Sequence, residues 1–337
     1  MIWGVPTALV LMSYVYGVLS LYSIVRHLRK KVWTDVVVND DDLPRAAVLV
    51  PLYKEDRNSI METFKSIARQ RYPQDKLGVF IVLENGDSVT EKYVKELSSI
   101  LLQSNLKINM HINNGKRVGK ANALNSVIKS ISDYYDMVVI FDAGDRVDDE
   151  HYIRKCAELI KRGYVIVGAK VYRVGRNMLA KLSYIDTMLW YNITLPGVYG
   201  VTKVPLLSGE GMAISMQFLK RIGGFPQVLA EDAYIAMLSF VHREKVAMID
   251  SVVFEGAPTT LKSFIKQRIR WYRGILERLK DFVLKYRKAV PKIKLAVAVL
   301  VYMRVLALVA PVAALVVVIV GLSGAVEVPL YALVLSE

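Results

Sequence analysis

The chain has 337 residues, a single cysteine and a formal net charge of +14, and 53% of its residues are hydrophobic. That length holds one large domain with added segments, and the lone Cys156 excludes an internal disulfide framework. The charge does not mark a nucleic-acid binder: residues 262–294 carry twelve Lys or Arg against Glu277 and Asp281, a net +10, residues 26–31 supply the other +4, and the rest is neutral.

Both basic stretches border apolar runs. Residues 2–25 carry no charge and exceed the about 20 residues a helix needs to cross a bilayer. Residues 295–320 form a second run, interrupted only by Arg304, which is costly there unless it faces a partner or a wet cavity. Basic residues mark the cytoplasmic side of a span. The expectation is an integral protein of the cell membrane, N-terminus outside and the chain from about residue 30 onward cytoplasmic. A cleaved leader is disfavoured, because its basic residues would precede the apolar run. Residues 325–335 are too short to cross again, which resembles a truncated form of a longer membrane protein.

Between the runs, residues 46–50 (AAVLV) predict a first strand, with Pro51-Leu52-Tyr53-Lys54-Glu55 as its exit loop. Residues 59–69 have helical spacing, 79–83 predict a second strand leading into Glu84-Asn85-Gly86, 91–102 a helix, and 108–112 a third strand. After the loop 114–120 come a helix over 121–131 and an apolar run, 137–141, that ends in Asp142, Asp145, Asp148 and Asp149. Such a run suits a strand buried on both faces of a parallel sheet, and carboxylates just beyond it lie at the edge where open α/β sheets bind ligands. Asp142 and Asp145 are close enough to share one divalent cation. Asp148 and Asp149 read as N-cap and first-turn anions of a helix over 151–162.

Further along, 164–170 predict a strand, Ser208-Gly209-Glu210-Gly211 a turn before a short strand at 213–215, and 233–241 a helix with Glu231 and Asp232 at its start. Carboxylates there commonly serve only the helix dipole. Alternating strands and helices predict an α/β, doubly wound, mainly parallel sheet. Other motifs fail on spacing. Residues 115–120 have three residues between glycines where a phosphate loop has four, and Ala121 stands where its Ser or Thr belongs. No G-x-G-x-x-G follows the first strand, the four histidines have no zinc spacing, and there is no G-x-S-x-G elbow.

The helical stretch from residue 261 carries Leu261, Ile265, Ile269, Tyr272, Ile275, Leu276 and Leu279 on one face. Gln267, Arg270 and Gly274 point the other way, with Trp271 near the edge, as an interfacial helix requires. Arg268 falls on the apolar side and is expected to snorkel.

In order, these motifs resemble the family-2 glycosyltransferases of the GT-A fold, and among them the membrane-embedded processive synthases of cellulose, chitin and hyaluronan. The likeness covers residues 46–274. Residues 51–55 resemble P-x-Y-N-E with Lys54 for Asn, 70–73 a Q-x-Y-P turn, 119–125 (GKANALN) G-K-x-x-A-L-N, 230–232 T-E-D, and 267–271 are a full Q-x-x-R-W. Glu84-Asn85 stands for the usual D-D, and Gly144 replaces the second aspartate of D-x-D, where chitin synthases also look like D-A-G.

The resemblance implies inverting transfer of a sugar from a nucleotide-diphosphate donor, most often a UDP-sugar, to a growing polysaccharide, with Mg2+ or Mn2+. It implies Tyr53, Glu55 and Glu84 at the base and ribose, and Lys120, Asp142, Gln267 and Arg270 at the diphosphate. Trp271 with Ser208, Gly209 and Glu210 would contact the acceptor, with Asp232 as general base beside Glu231. The metal would take Asp142, with Asp145 or the diphosphate completing its shell. The implied domains are a membrane helix and basic flank at 1–31, a cytosolic transferase domain at 44–257, interfacial helices at 258–292 among membrane lipids, and a second membrane region at 293–337. The few spans favour a rival reading, transfer of a single sugar to a lipid-linked acceptor. A non-catalytic nucleotide-sugar binder is disfavoured by the presence of both Glu231 and Asp232.

Overall fold

The computed structural model describes residues 42–114 and 119–302, with Val18, Tyr22, Thr34 and Val36. The expected membrane runs, 2–25 and 295–320, therefore lie mostly outside the described residues, as do residues 115–118. Among the described residues no helix is long and apolar enough to cross a membrane.

Four strands build the first half of the sheet: β1 Ala46–Leu52, β2 Leu77–Glu84, β3 Lys107–Asn113 and β4 Met137–Ile140. They lie side by side as β3-β2-β1-β4, all parallel. The sequence explains the layout. Residues of β1, β2 and β4 are almost all buried, so each strand needs cover on both faces. Helices α1 Arg57–Ala68, α2 Ser88–Leu102 and α3 Lys120–Ile131 provide it through buried residues such as Ile60, Phe64, Val94, Leu124 and Val127. Because the strands are parallel, the loops after β1, β2 and β4 reach one edge.

The second half departs from the mainly parallel expectation. The full order is β3-β2-β1-β4-β7-β6-β8-β5, completed by β5 Arg146–Val147, β6 Tyr164–Val174, β7 Ala213–Ser215 and β8 Lys245–Gly256. Strand β7 runs antiparallel to both β4 and β6, β8 is parallel to β6, and β5 antiparallel to β8. The short β7 follows a tight turn in which Gly211 has a φ of +68°, and a Cβ there would lie 2.7 Å from Val253.

Helix α4 Tyr152–Lys161 begins later than expected, with His151 as its N-cap. Asp148 is exposed and caps nothing. Asp149 instead accepts the His151 N–H at 3.0 Å and pairs with Lys155 at 2.7 Å. Between β6 and β7 the chain makes an unforeseen helical excursion: α5 Met178–Leu189, a π-helical turn Trp190–Thr194, and α6 Leu195–Thr202. Helices α7 Met216–Arg221, α8 Glu231–Val241, α9 Leu261–Lys285 and α10 Lys292–Tyr302 complete the order.

Helix α9 is docked on α8. A Cβ on Gly274 would lie 2.7 Å from the Ala230 Cβ, so only glycine lets the helices approach this closely. Arg278 donates to the Ala233 carbonyl at 3.2 Å, Glu277 accepts the Leu229 N–H at 3.1 Å, and Phe282 is fully buried. The α5 and α9 helices start together, where the Asn177 amide donates to the Thr259 carbonyl at 2.8 Å, and two turns on Arg268 meets Asp186 at 2.6 Å. They therefore run side by side in the same direction. On the apolar side of α9, Arg268 finds a partner in Asp186 of α5. The outer rows, Met178, Leu182, Ile185 and Leu189 on α5 and Leu261, Ile265, Ile269 and Leu276 on α9, are 47–70% exposed.

Candidate active site

The acidic end of β4 forms a tight turn braced from α1. Gly144 has a φ of +93°, a conformation that aspartate rarely adopts, so the turn itself explains why D-x-D is broken here. The Gly144 N–H donates to the Ser59 carbonyl at 3.2 Å and to Thr63 Oγ1 at 2.9 Å, and the Thr63 hydroxyl donates to the Asp142 carbonyl at 3.1 Å. Asp145 lies fully buried beneath, its Oδ2 accepting the Asp142 N–H at 2.8 Å and its Oδ1 without a hydrogen-bond partner. Burial, then the charges of Asp142, Glu210 and Glu255, push its carboxyl well above the usual range. Asp142 alone faces outward.

Outward from Asp142 stands Lys120, the first residue of α3. Its Nζ lies 2.6 Å from Asp142 Oδ1 and 3.7 Å from Glu231 Oε1. Burial alone would lower this amine's pKa, but the charges of Asp142 and Glu231 outweigh it and hold the amine protonated. One lysine thus joins the β4 edge to the start of α8, which lies 111 residues beyond that lysine in sequence. Beside Glu231, Asp232 packs on the turn after α6: a Cβ on Gly209 would lie 3.0 Å from the Asp232 Cβ.

On the β1–β2 side, Lys54 has a φ of +54°, an uncommon conformation for a residue with a side chain. Asp87 fixes it, accepting the Lys54 N–H at 2.5 Å while also bonding the Thr90 hydroxyl at 2.7 Å. The Thr90 oxygen in turn accepts the Glu55 N–H at 3.2 Å. Lys54 lies over the Tyr53 ring, 5.3 Å from its centroid. The Glu55 carboxyl is pushed up by burial and by the charge of Asp142. Glu84 is buried at the end of β2 and accepts from the Asn113 amide at 3.1 Å. Asp87 was not singled out from sequence; its signal was the Asp87-Ser88 start of a helix beside the Glu84-Asn85-Gly86 turn.

The opposite wall centres on Arg173 of β6, whose side chain is 7% exposed. It pairs with Glu255 at 2.8 Å and Glu210 at 3.4 Å, and its guanidinium carbon lies 4.5 Å from the Trp271 ring centroid. The Arg268 guanidinium also lies over that ring, at 4.6 Å. Ser208 is held by the Tyr191 hydroxyl from the π-helical turn. Gln267 is half-buried and Arg270 exposed. Burial, then the charge of Glu255, pushes the Glu210 carboxyl up to about 8, although Arg173 acts in the opposite sense. A carboxyl raised from 4.5 in this way gives stability that is fully present below the unfolded value and lost as pH rises through about 8. The thermal midpoint should therefore fall between pH 6 and pH 9, and in Glu210→Gln it should fall by less; an identical decline in the variant would remove Glu210 as a cause.

The model of glycosyl transferase family 2 matches residues 47–223, and that of glycosyl transferase family group 2 matches residues 137–336. Each match spans more than half of the chain.

The chain belongs to glycosyl transferase family 2.

The probable glycosyltransferase YdaM of Bacillus subtilis (strain 168) is 26% identical over 261 residues, which cover 75% of this chain and 61% of YdaM. The fold is similar to that of mannosyltransferase PcManGT from Pyrobaculum calidifontis, solved with GDP-Man and Mn2+, at a TM-score of 0.71 and 23% identity over 98% of this chain and 90% of that one. It is also similar to S. aureus TarS, at a TM-score of 0.51 and 16% identity over 75% of this chain and 70% of that one.

In this family-2 chain, the electrostatics of the site fit a divalent cation at Asp142. Burial raises the pKa of five surrounding carboxyls, those of Glu55, Asp145, Glu210, Glu231 and Glu255, and the charge of Asp142 adds to each. Lys120 and Arg173 do not balance such a cluster. Among the described residues no three His, Cys, Asp or Glu side chains form a ready-made cage. The fit is therefore to a cation that Asp142 holds with ligands from elsewhere.

Proposed function

We propose that the chain transfers a sugar, with inversion, from a nucleotide-diphosphate sugar to an acceptor hydroxyl at the cytoplasmic face of a membrane. The observation that carries this reading is the Lys120 bridge between Asp142 and Glu231. It joins the edge where strands β1, β2 and β4 end to the first turn of α8. Glu55 and Glu84, beside Tyr53, suit the base and ribose. Lys120, with Arg270 and Gln267 on α9, suits the diphosphate. Asp232, one residue beyond Glu231, takes the proton from the acceptor hydroxyl as that oxygen attacks the anomeric carbon and the diphosphate leaves from the opposite face. An α-linked donor then gives a β-linked product.

Asp142 would hold Mg2+ or Mn2+, which when bound would supply positive charge against the departing diphosphate, while Asp145 braces the turn from below. The PcManGT structure with GDP-Man and Mn2+ supports this choice of donor class and metal.

For the acceptor, Q-x-x-R-W at 267–271 supports a growing polysaccharide. A second reading, a lipid-linked acceptor receiving one sugar, is favoured by the exposed apolar rows of α5 and α9, because the same excursion holds Ser208 through Tyr191. Those rows, flanked by the basic residues of α9, also support seating against membrane lipids. Product length on a radiolabelled donor separates the two: a ladder of lengths marks the polysaccharide, and one sugar per acceptor excludes a processive synthase.

A further inference from the structure

We infer that Arg173 is a positioning residue that ties Trp271 of α9 to the Ser208-Gly209-Glu210 turn. The inference rests on the transfer reading above but concerns a residue to which that reading gives no part.

Arg173 and Glu255 are direct neighbours across the parallel β6–β8 ladder, and their side chains pair at 2.8 Å. The other end of the guanidinium reaches Glu210 at 3.4 Å, while its carbon lies 4.5 Å from the Trp271 centroid. Its backbone N–H donates to Thr187 Oγ1 of α5 at 3.2 Å. One side chain therefore meets β8, the turn that packs on Asp232, and α9, while its backbone is fixed by α5. Arginine suits the task chemically. A planar guanidinium can engage two acidic side chains through its edge and lie on an aromatic ring through its face. Lysine offers a point charge and cannot do both.

The consequence is a fixed geometry. Gly209 touches Asp232, and Glu210 follows it in sequence, so holding Glu210 holds the turn against the base. Holding Trp271 by the same group sets the distance between the base and α9. Arg268 comes from α9 itself and cannot fix that helix relative to the sheet through Trp271; Arg173 can.

The test uses the full chain in lipid nanodiscs, in a background where Trp3, Trp33 and Trp190 are phenylalanine. Acrylamide quenching then reports Trp271. Arg173→Met and Arg173→Lys are compared with this background for quenching, for binding of GDP and UDP with Mn2+, and for turnover of GDP-mannose and UDP-N-acetylglucosamine. The expected result in Arg173→Met is at least a twofold rise in the quenching constant and at least a tenfold loss of kcat, with nucleotide affinity within twofold. Arg173→Lys should fall between. Removing one member of a buried pair can unfold a domain; if Arg173→Met loses its thermal transition, Arg173→Lys decides. Unchanged quenching in a folded variant overturns the inference, as does a loss of nucleotide affinity in step with kcat. If the parent turns over neither donor, the transfer reading fails for those sugars, and quenching alone still decides whether Arg173 positions Trp271.

Discussion

Asp232→Asn should lower sugar transfer by roughly 10²- to 10⁴-fold, the range of a lost general base, while nucleotide binding survives. Asparagine keeps the size of the side chain, so its packing on Gly209 and the start of α8 should persist. What it removes is the acceptor of the hydroxyl proton. Lys120 still has Asp142 at 2.6 Å and Glu231 at 3.7 Å, so the donor side should keep its arrangement. The check is steady-state transfer beside calorimetric binding of the nucleoside diphosphate. A variant that transfers at the wild-type rate would show that another group takes the proton, with Glu231 the nearest candidate.

Asp142→Asn should lower kcat/KM by roughly 10²- to 10³-fold, the cost of losing one well-placed electrostatic partner of a developing charge. It should also abolish the tightening of nucleotide binding by Mn2+. Asp142 is the outward-facing carboxylate of its turn, while Asp145 is sealed beneath it with Oδ2 on the Asp142 N–H. Measuring nucleotide affinity with and without Mn2+ separates the two aspartates. If Asp142→Asn keeps the wild-type response to Mn2+, the cation sits elsewhere.

The sequence carried the first half of the sheet well for a simple reason. Strands such as β1 and β4 are short continuous apolar runs, and a run buried on both faces must sit inside a covered parallel sheet. The second half is harder to read. The two residues of β5 are too few to show a period. Helix α5 escaped notice because its polarity is inverted: Ala180, Ser183 and Thr187 face the core, while Met178, Leu182, Ile185 and Leu189 face outward. A periodicity search for an apolar buried face finds nothing there.

The same contrast holds at the site. Asp142 was legible because strand ends are where parallel sheets gather polar groups, while Lys120, Glu231 and Asp232 gained their roles from the motifs that resemble family 2. Arg173 and Glu255 are charges inside strands, and only the β6–β8 register brings them together. Asp87 was passed over because its task, holding Lys54 in a left-handed conformation, depends on two loops meeting in space.

A site so arranged should break a nucleotide-diphosphate sugar and pass the sugar on. The most direct measurement is release of free nucleoside diphosphate by the full chain in nanodiscs, across GDP-mannose, UDP-glucose, UDP-N-acetylglucosamine and UDP-glucuronic acid, with Mn2+ or Mg2+. At least one donor should be consumed, consumption should need the cation, and Asp232→Asn should stop it. A folded chain that binds these nucleotides but releases diphosphate from none of the donors would contradict that reading.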